Sequence, residues 1–415
     1  MTSASREPSV DPAGSVSPKA SPPGRNWPMS GGNGWTPGTH PRAAALVSAA
    51  VDIRRAGVHG PVPASVLVEL HTPYLDERGG PDLRPEPIGE ALDWASQPVH
   101  TGGVSALLLG GGDGGLTAFD YLIDLITDRT VPDHLWDGLL SRVVGRDAYE
   151  MGLTALAEHW YPRADRALAI AAAAGVSASD IVLGTLRGRL GHHEEAVTIF
   201  TAIAADRAWA LGTDHPETLE VRAHLAYWTA RSGRPSDALR IGREVLTART
   251  RVLGADHPDT LDSSLRVANW IGEAGDPAEA LRRSIALLPA FRNIRGPLHP
   301  DTLDVHARVA LWTGKSGDPV KALRLSEKLL RLRTSELGQD HFDCLFTRGR
   351  IVLWTGQTGR AEHAAQLAAE LVADLTQVCG PDHPRTREAR EHLAQWTRAA
   401  AESHRPFGLP SKVHD

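Results

Sequence analysis

The sequence predicts a mainly α fold: a right-handed superhelical solenoid of antiparallel helix pairs, preceded by a small mixed α/β module of winged-helix-like order. Three observations carry this expectation. Trp228, Trp270, Trp312, Trp354 and Trp396 recur at a constant step of 42 residues, and His215, His257, His299, His341 and His383 keep the same step. Within a step, two stretches of helical apolar spacing are divided by a helix-breaking glycine at Gly233, Gly275, Gly317 or Gly359. Propeller blades also suit a 42-residue period, but they need four short strands per unit, and these units lack β-branched alternation.

Taken in order, residues 1–41 are built from Pro, Gly, Ser and Thr with few aliphatic residues. Such a segment buries too little apolar surface to offset chain entropy, so a disordered arm is expected, with Trp27 and Trp35 as scattered tail aromatics. Residues 42–145 read as a compact module. RAAALVSAAVDIRRAG has helical spacing and stops at Gly57, and VPASVLVELHTPYL is expected to form one helix with Pro63 in its first turn. EPIGEALDWASQ makes a third helix, and VSALLLG is the one convincing strand. LTAFDYLIDLIT, from Leu116, is expected to be helical, and PDHLWDGLLSRVV closes the module.

Residues 146–213 hold degenerate helical repeats: Gly191 and Ala196 keep the phase, while Leu186 stands where the tryptophan belongs. Residues 214–400 hold the regular units and 401–415 a tail. In one unit, Pro258 and Asp259 suit the first turn of helix A, where a missing N–H is harmless and a negative charge complements the helix dipole. After Gly275, Asp276 caps helix B, Pro277 opens it, and Ala280, Leu281, Ile285 and Leu288 are its expected apolar stripe. The phased tryptophans and small residues are packing positions. The phased histidines are helix-start residues, because neighbouring helices stack about 8–10 Å apart, too far to share an ion.

The units LGTDHPETLEVRAHLAYWTARSGRPSDAL and LGADHPDTLDSSLRVANWIGEAGDPAEAL resemble the 42-residue tetratricopeptide repeats of the kinesin light chain type, in the form found in actinobacterial regulatory proteins. The pattern LG-x-DHP-x-TL carries the resemblance over about half the chain. Departures occur at Leu298, Phe342 and Cys344, and the asparagine pair usual in helix A is replaced. Residues 42–144 are similar to the segment preceding repeats in bacterial STAND-type regulators. Those normally carry an NTPase core, and none is visible in this sequence.

Charged residues make up 23% of the 415 and the formal net charge is −6, so nothing global calls for nucleic acid or an anionic membrane. Two cysteines, Cys344 and Cys379, exclude a disulfide framework and a Cys-rich zinc site, and with no long apolar run a soluble cytoplasmic protein is expected. GGGDGG at 110–115 matches a dinucleotide fingerprint in letters but lacks the second parallel strand, so a hairpin loop is expected. TGKSG at 313–317 lies at the end of a helix A, out of place for a phosphate loop, and GHHEEA at 191–196 falls in a helix-to-helix turn without metal-ligand spacing. No cofactor, metal, nucleotide or catalytic constellation is expected.

One phased set faces outward on helix A. His224, Arg266, Arg308, Arg350 and His392 each follow, by four residues, Glu220, Asp262, Asp304, Phe346 and Glu388. Four of the five are therefore expected to form solvated i,i+4 pairs, each about 0.2–0.5 kcal/mol; Phe346 leaves Arg350 without one. The competing expectation is that these side chains, with Asn269, line a concave face that takes a protein or peptide through its carboxylates or carbonyls. On that reading Asp262, Arg266, Asn269 and Glu273 share one stripe, and Val267, Trp270 and Ile271 pack inward. The function expected is a non-enzymatic binding scaffold. The alternatives are a ligand-sensing signalling or transcriptional regulator with the N-terminal module as its output, and an accessory part of a catalytic complex. LTAFDYLIDLITDR is too apolar and acidic to read DNA.

Overall fold

In a computed structural model, the residues described are 39–97, 106–111, 114–125, 130–381 and 383–403. The expected N-terminal arm up to residue 38 and the tail from 404 lie outside them. The chain divides into two compact units, 1–183 and 184–415.

The first unit is organised around helix α1 (Pro41–Arg55), whose Ala, Leu and Val residues are buried on every side. A helix apolar all round has to be a central one. Its single internal charge, Asp52, is fully buried and accepts a hydrogen bond from the Tyr74 hydroxyl at 2.8 Å, with Arg55 at 3.2 Å. Its N-terminus has no cap of its own, and the Glu86 carboxylate accepts from the N–H groups of Arg42 and Ala43 at 3.2 and 2.9 Å.

Around α1 lie β1 (Val62–Pro63), α2 (Ala64–Leu70), α3 (Thr72–Asp76), α4 (Ile88–Ser96), β2 (Leu108–Gly110), β3 (Gly115–Ala118), α5 (Asp120–Leu125) and α6 (Asp133–Leu140). The strands form an antiparallel sheet in the order β1-β3-β2. Helix, strand, helices and then a hairpin that pairs back to the first strand make a small β-containing N-terminal module.

Three local expectations change here. Pro63 belongs to an edge strand paired with Gly115, a place where its missing N–H is tolerated, and only then caps α2. The expected single helix is split at His71, because Pro73 can neither donate to the preceding turn nor fit against it. Leu116 is in β3, so the helix expected from that residue begins at Asp120; the pairing of β3 with two strands outweighs its helical spacing. Between β2 and β3, Gly111 N–H donates to the Gly115 carbonyl at 2.7 Å, which makes the glycine-rich run a hairpin; residues 112–113 lie outside the described ones. α7 (Gly145–Ala157) and α8 (Tyr161–Ala173) follow as an antiparallel pair.

After α9 (Ser179–Arg189) and α10 (His193–Leu211), the second unit is a stack of antiparallel helix pairs. Its A helices are α11 (Pro216–Arg231), α13 (Pro258–Glu273), α15 (Pro300–Lys315), α17 (Phe342–Gln357) and α19 (Pro384–Ser403). Its B helices are α12 (Pro235–Leu253), α14 (Pro277–Ile294), α16 (Pro319–Leu337) and α18 (Ala361–Cys379). Every phased histidine starts an A helix: its Nδ1 accepts the N–H two residues on at 3.2 or 3.3 Å. Asp276 and Asp318 cap α14 and α16, each carboxylate accepting the N–H three residues on at 2.9 Å.

The seam between units is a tryptophan seated on a glycine of the A helix before it. A Cβ added at Gly272 would lie 2.5 Å from the Trp312 ring, at Gly314 2.5 Å from Trp354 and at Gly356 2.3 Å from Trp396. These glycines also step by 42, with Ala230 breaking the series. There the structure compensates: Trp270 rests on Gly242 of α12, 2.3 Å from where its Cβ would be. One B-helix expectation fails. Ile285 is 48% exposed; α14 buries Ala280 as expected, together with Ser284 and Phe291, while Leu281 and Leu288 are partly buried against the core.

Candidate functional site

The A helices lie side by side, and their polar stripes line a groove of about 680 Å3. Arg266 and Asn269 of α13, Arg308 of α15 and Arg350 of α17 all line it, together with Asp262 and Glu273. Trp270 reaches it too, although its ring is mostly buried in the seam. His392 lines a smaller pocket that shares Arg350 with the groove. His224 lies apart from the groove lining: its ring stacks on Phe200 with centroids 5.2 Å apart, and burial, then Arg266, lowers its pKa below the ordinary histidine value.

The acid-base pairs that repeat spacing suggests do not form. Asp304 takes Arg333 of α16 at 2.5 Å instead of Arg308, and Glu388 takes Arg385 at 2.6 Å instead of His392. Arg333 is only 2% exposed, and it also donates to the Asp343 carbonyl at 3.3 Å and the Thr347 hydroxyl at 2.9 Å. A buried guanidinium has more to lose than an exposed one from lacking a carboxylate, so it wins the competition for Asp304. Among the described residues Asp262 makes no ion pair, and burial followed by the nearby Asp301 raises its pKa against the opposing pull of Arg295 and Arg266. Among the described residues, Arg266, Arg308 and Arg350 therefore make no ion pair.

What positions these cations is aromatic rings. Arg266 lies over Tyr227 at 5.2 Å, Lys315 over Trp312 at 5.2 Å, and both Arg350 and Arg385 lie over Phe346 at 5.2 and 4.6 Å. Burial, the leading influence on Arg350, disfavours its charged form, and the nearby Glu388 offsets this only in part. The groove carries six cationic and four acidic side chains, and two of the acids, Asp301 and Asp304, are already tied to Arg295 and Arg333 outside the lining. The free charge is thus positive. Asn269 has a packing duty as well: its side-chain oxygen accepts the Trp312 indole N–H at 3.1 Å.

Sequence reasoning missed Tyr227, Lys315, Phe346 and Arg385 as parts of this face. The signal for two of them was present in the phase, since Phe346 and Arg385 stand where other units carry Asp or Glu. Among the described residues no cluster of three or more His, Cys, Asp or Glu side chains could hold a metal, and no helix is long and apolar enough to cross a membrane.

Residues 218–259 match the family model described as tetratricopeptide repeat, one period of 42 residues. The other units share its phase, so the stack is tetratricopeptide-like. No curated protein matches the chain. Among solved structures, the nearly identical TPR-like repeats of a Podosopora anserina protein described as kinesin light chain are 20% identical, covering 48% of this chain and 95% of that one at a TM-score of 0.40. BtubC from P. vanneervenii is 16% identical over 67% of this chain and 94% of its own, with a TM-score of 0.40. Yeast Tom70 is 16% identical over 65% of this chain and 50% of its own, also at 0.40.

Proposed function

We propose that the second unit is a binding scaffold whose groove holds an extended segment of a partner polypeptide through carboxylates and carbonyls. The observation that carries this reading is the failure of the local pairs: Arg266, Arg308 and Arg350 face one groove with rings beneath two of them and, among the described residues, no ion pair. A purely structural arrangement would have closed Arg266 on Asp262 and Arg308 on Asp304, the acids four residues away, whereas Arg350 has Phe346 in that place. A charge-assisted hydrogen bond is worth about 1.5–3 kcal/mol when well formed and much less when exposed, so the three act together or not at all. We take residues 42–145 as the accompanying module, 146–213 as atypical leading repeats and 214–400 as the array that binds.

The test is equilibrium binding of random-sequence decapeptide pools to the full chain and to the triple variant Arg266→Ala, Arg308→Ala, Arg350→Ala. The expected result is binding by the first and loss of it in the second, with melting temperatures within a few degrees, since surface changes usually cost about 0.5 kcal/mol or less. Equal affinities reject the groove. A second reading is a ligand-sensing signalling or transcriptional regulator with the N-terminal module as its output, supported by that module's forming a compact unit apart from the stack.

A further inference from the structure

At one end of the groove the repeat inverts its own charge pattern. The helix-A position that holds Glu220, Asp262, Asp304 and Glu388 in the other units holds Phe346 in α17, and the first-turn position that holds Glu217, Asp259, Asp301 and Asp343 holds Arg385 in α19. Two acids are thereby exchanged for a ring and a cation. The second exchange does nothing for its own helix, since an acid suits the first turn and a cation opposes the dipole there.

The fold brings both departures together. Arg350 and Arg385 lie over the Phe346 ring, 5.2 and 4.6 Å from its centroid, and Arg308 of α15 lines a small pocket with Phe346 and Arg350. All four side chains line the groove. Arg385 and Arg308 both disfavour the charge on Arg350, so the three guanidiniums form one electrostatic cluster. Of the acids near them, Glu388 is engaged by Arg385 at 2.6 Å and Asp304 by the buried Arg333 at 2.5 Å. Counting Glu388 against the three arginines leaves two positive charges, and among the described residues no further acid pairs with them. One carboxylate of a ligand would cancel half of that excess. A phosphoryl group carries about −1.5 to −2 at neutral pH and offers three acceptor oxygens, which matches both the charge and the number of guanidiniums.

We propose that this cluster reads a phosphorylated serine, threonine or tyrosine on the polypeptide that occupies the groove. The proposal rests on the groove reading and names the group that the groove selects. A nucleic acid, or any other uniform polyanion, fits worse because the α13 part of the groove carries Asp262 and Glu273. Its repeated phosphates would meet those acids. A polypeptide can set one phosphoryl group on Arg308, Arg350 and Arg385 and place neutral or basic residues beyond it.

The test is equilibrium binding to the full chain of random decapeptide pools whose fixed central residue is phosphorylated serine, threonine or tyrosine, the same residues unphosphorylated, or aspartate. Phosphorylated pools should bind at least about tenfold tighter than unphosphorylated ones, with aspartate between, because one further charge-assisted contact suffices for that ratio. Arg385→Asp restores the residue that three other units carry in a first turn that favours it, so this variant keeps the fold. It should bring the phosphorylated and unphosphorylated pools to the same affinity, and Arg308→Gln should lower their ratio. Arg266→Gln, at the α13 end, should weaken both pools by one factor and so preserve the ratio. Equal affinities for the unaltered chain, or a preference that survives Arg385→Asp, overturn the cluster assignment and leave the groove standing. Tighter binding of a single-stranded oligonucleotide, or displacement of the phosphopeptides by equimolar inorganic phosphate, overturns the choice of a phosphorylated polypeptide. If no pool binds in any form, the groove reading falls and the proposal falls with it.

Discussion

Helix α17 carries two glycines of different kinds. Gly356, in its last turn, is filled by the Trp396 ring, and Gly349, two turns earlier on the same face, is open. The same residue type thus has opposite meanings. At the seam, glycine is what lets one repeat unit seat on the next; at position 349, it is a vacancy that the fold does not use. The difference separates residues kept for stacking from residues that stacking leaves free.

The largest expected effect lies on the seam. Trp354→Ala removes a ring that is 1% exposed and seated on Gly314, and should destabilise by about 3–5 kcal/mol in denaturant unfolding. Gly314→Ala attacks the same joint from the other side. A Cβ there lies 2.5 Å from an indole that is itself wedged, so about 1–3 kcal/mol should be lost. At the open glycine the sign reverses: Gly349→Ala should stabilise by about 0.5–1 kcal/mol, because it meets only an ordinary contact and restores helix propensity. If both alanine variants destabilise equally, the seam glycines and Gly349 are not distinct.

The smallest effect is titration. Burial first, and then Arg266, lowers the pKa of His224 in the fold relative to the unfolded chain, where it stays near 6.5. Below that value the unfolded state binds the extra proton, so the stability His224 contributes is complete above about pH 6.5 and is lost as the pH falls toward the folded pKa. His306 is lowered for the same leading reason, with Arg292 beside it. His224→Gln should flatten the fall in melting temperature between pH 6.5 and 5, and an unchanged slope would show that other groups set it.

Much of the fold was legible because a 42-residue step repeats five times, and each repeat reports on the same joint. The glycine partners of the tryptophans escaped notice because Ala230 interrupts their series. Short strands were less legible: Val62–Pro63 has two residues and a proline, and only its pairing with β3 makes it a strand. In the candidate groove, spacing placed Arg266, Asn269, Arg308 and Arg350 on one helix face. It could not foresee that Arg333, a residue of helix B, would take Asp304, because that competition is decided by burial in the folded stack. His224 kept the phase and yet packs on Phe200, a partner supplied by the degenerate unit before it.

The central claim is that an extended polypeptide lies along the A helices, and photocrosslinking tests it most directly. A decapeptide selected from the random-sequence pool, carrying a benzophenone at one internal position, would be irradiated on the full chain and the adducts mapped by mass spectrometry. The expected result is labelling of α13, α15 and α17 at groove-lining residues, abolished by the triple arginine variant. Adducts on the outer helices α14 and α16, or on residues 39–183, with the triple variant still labelled, would contradict it.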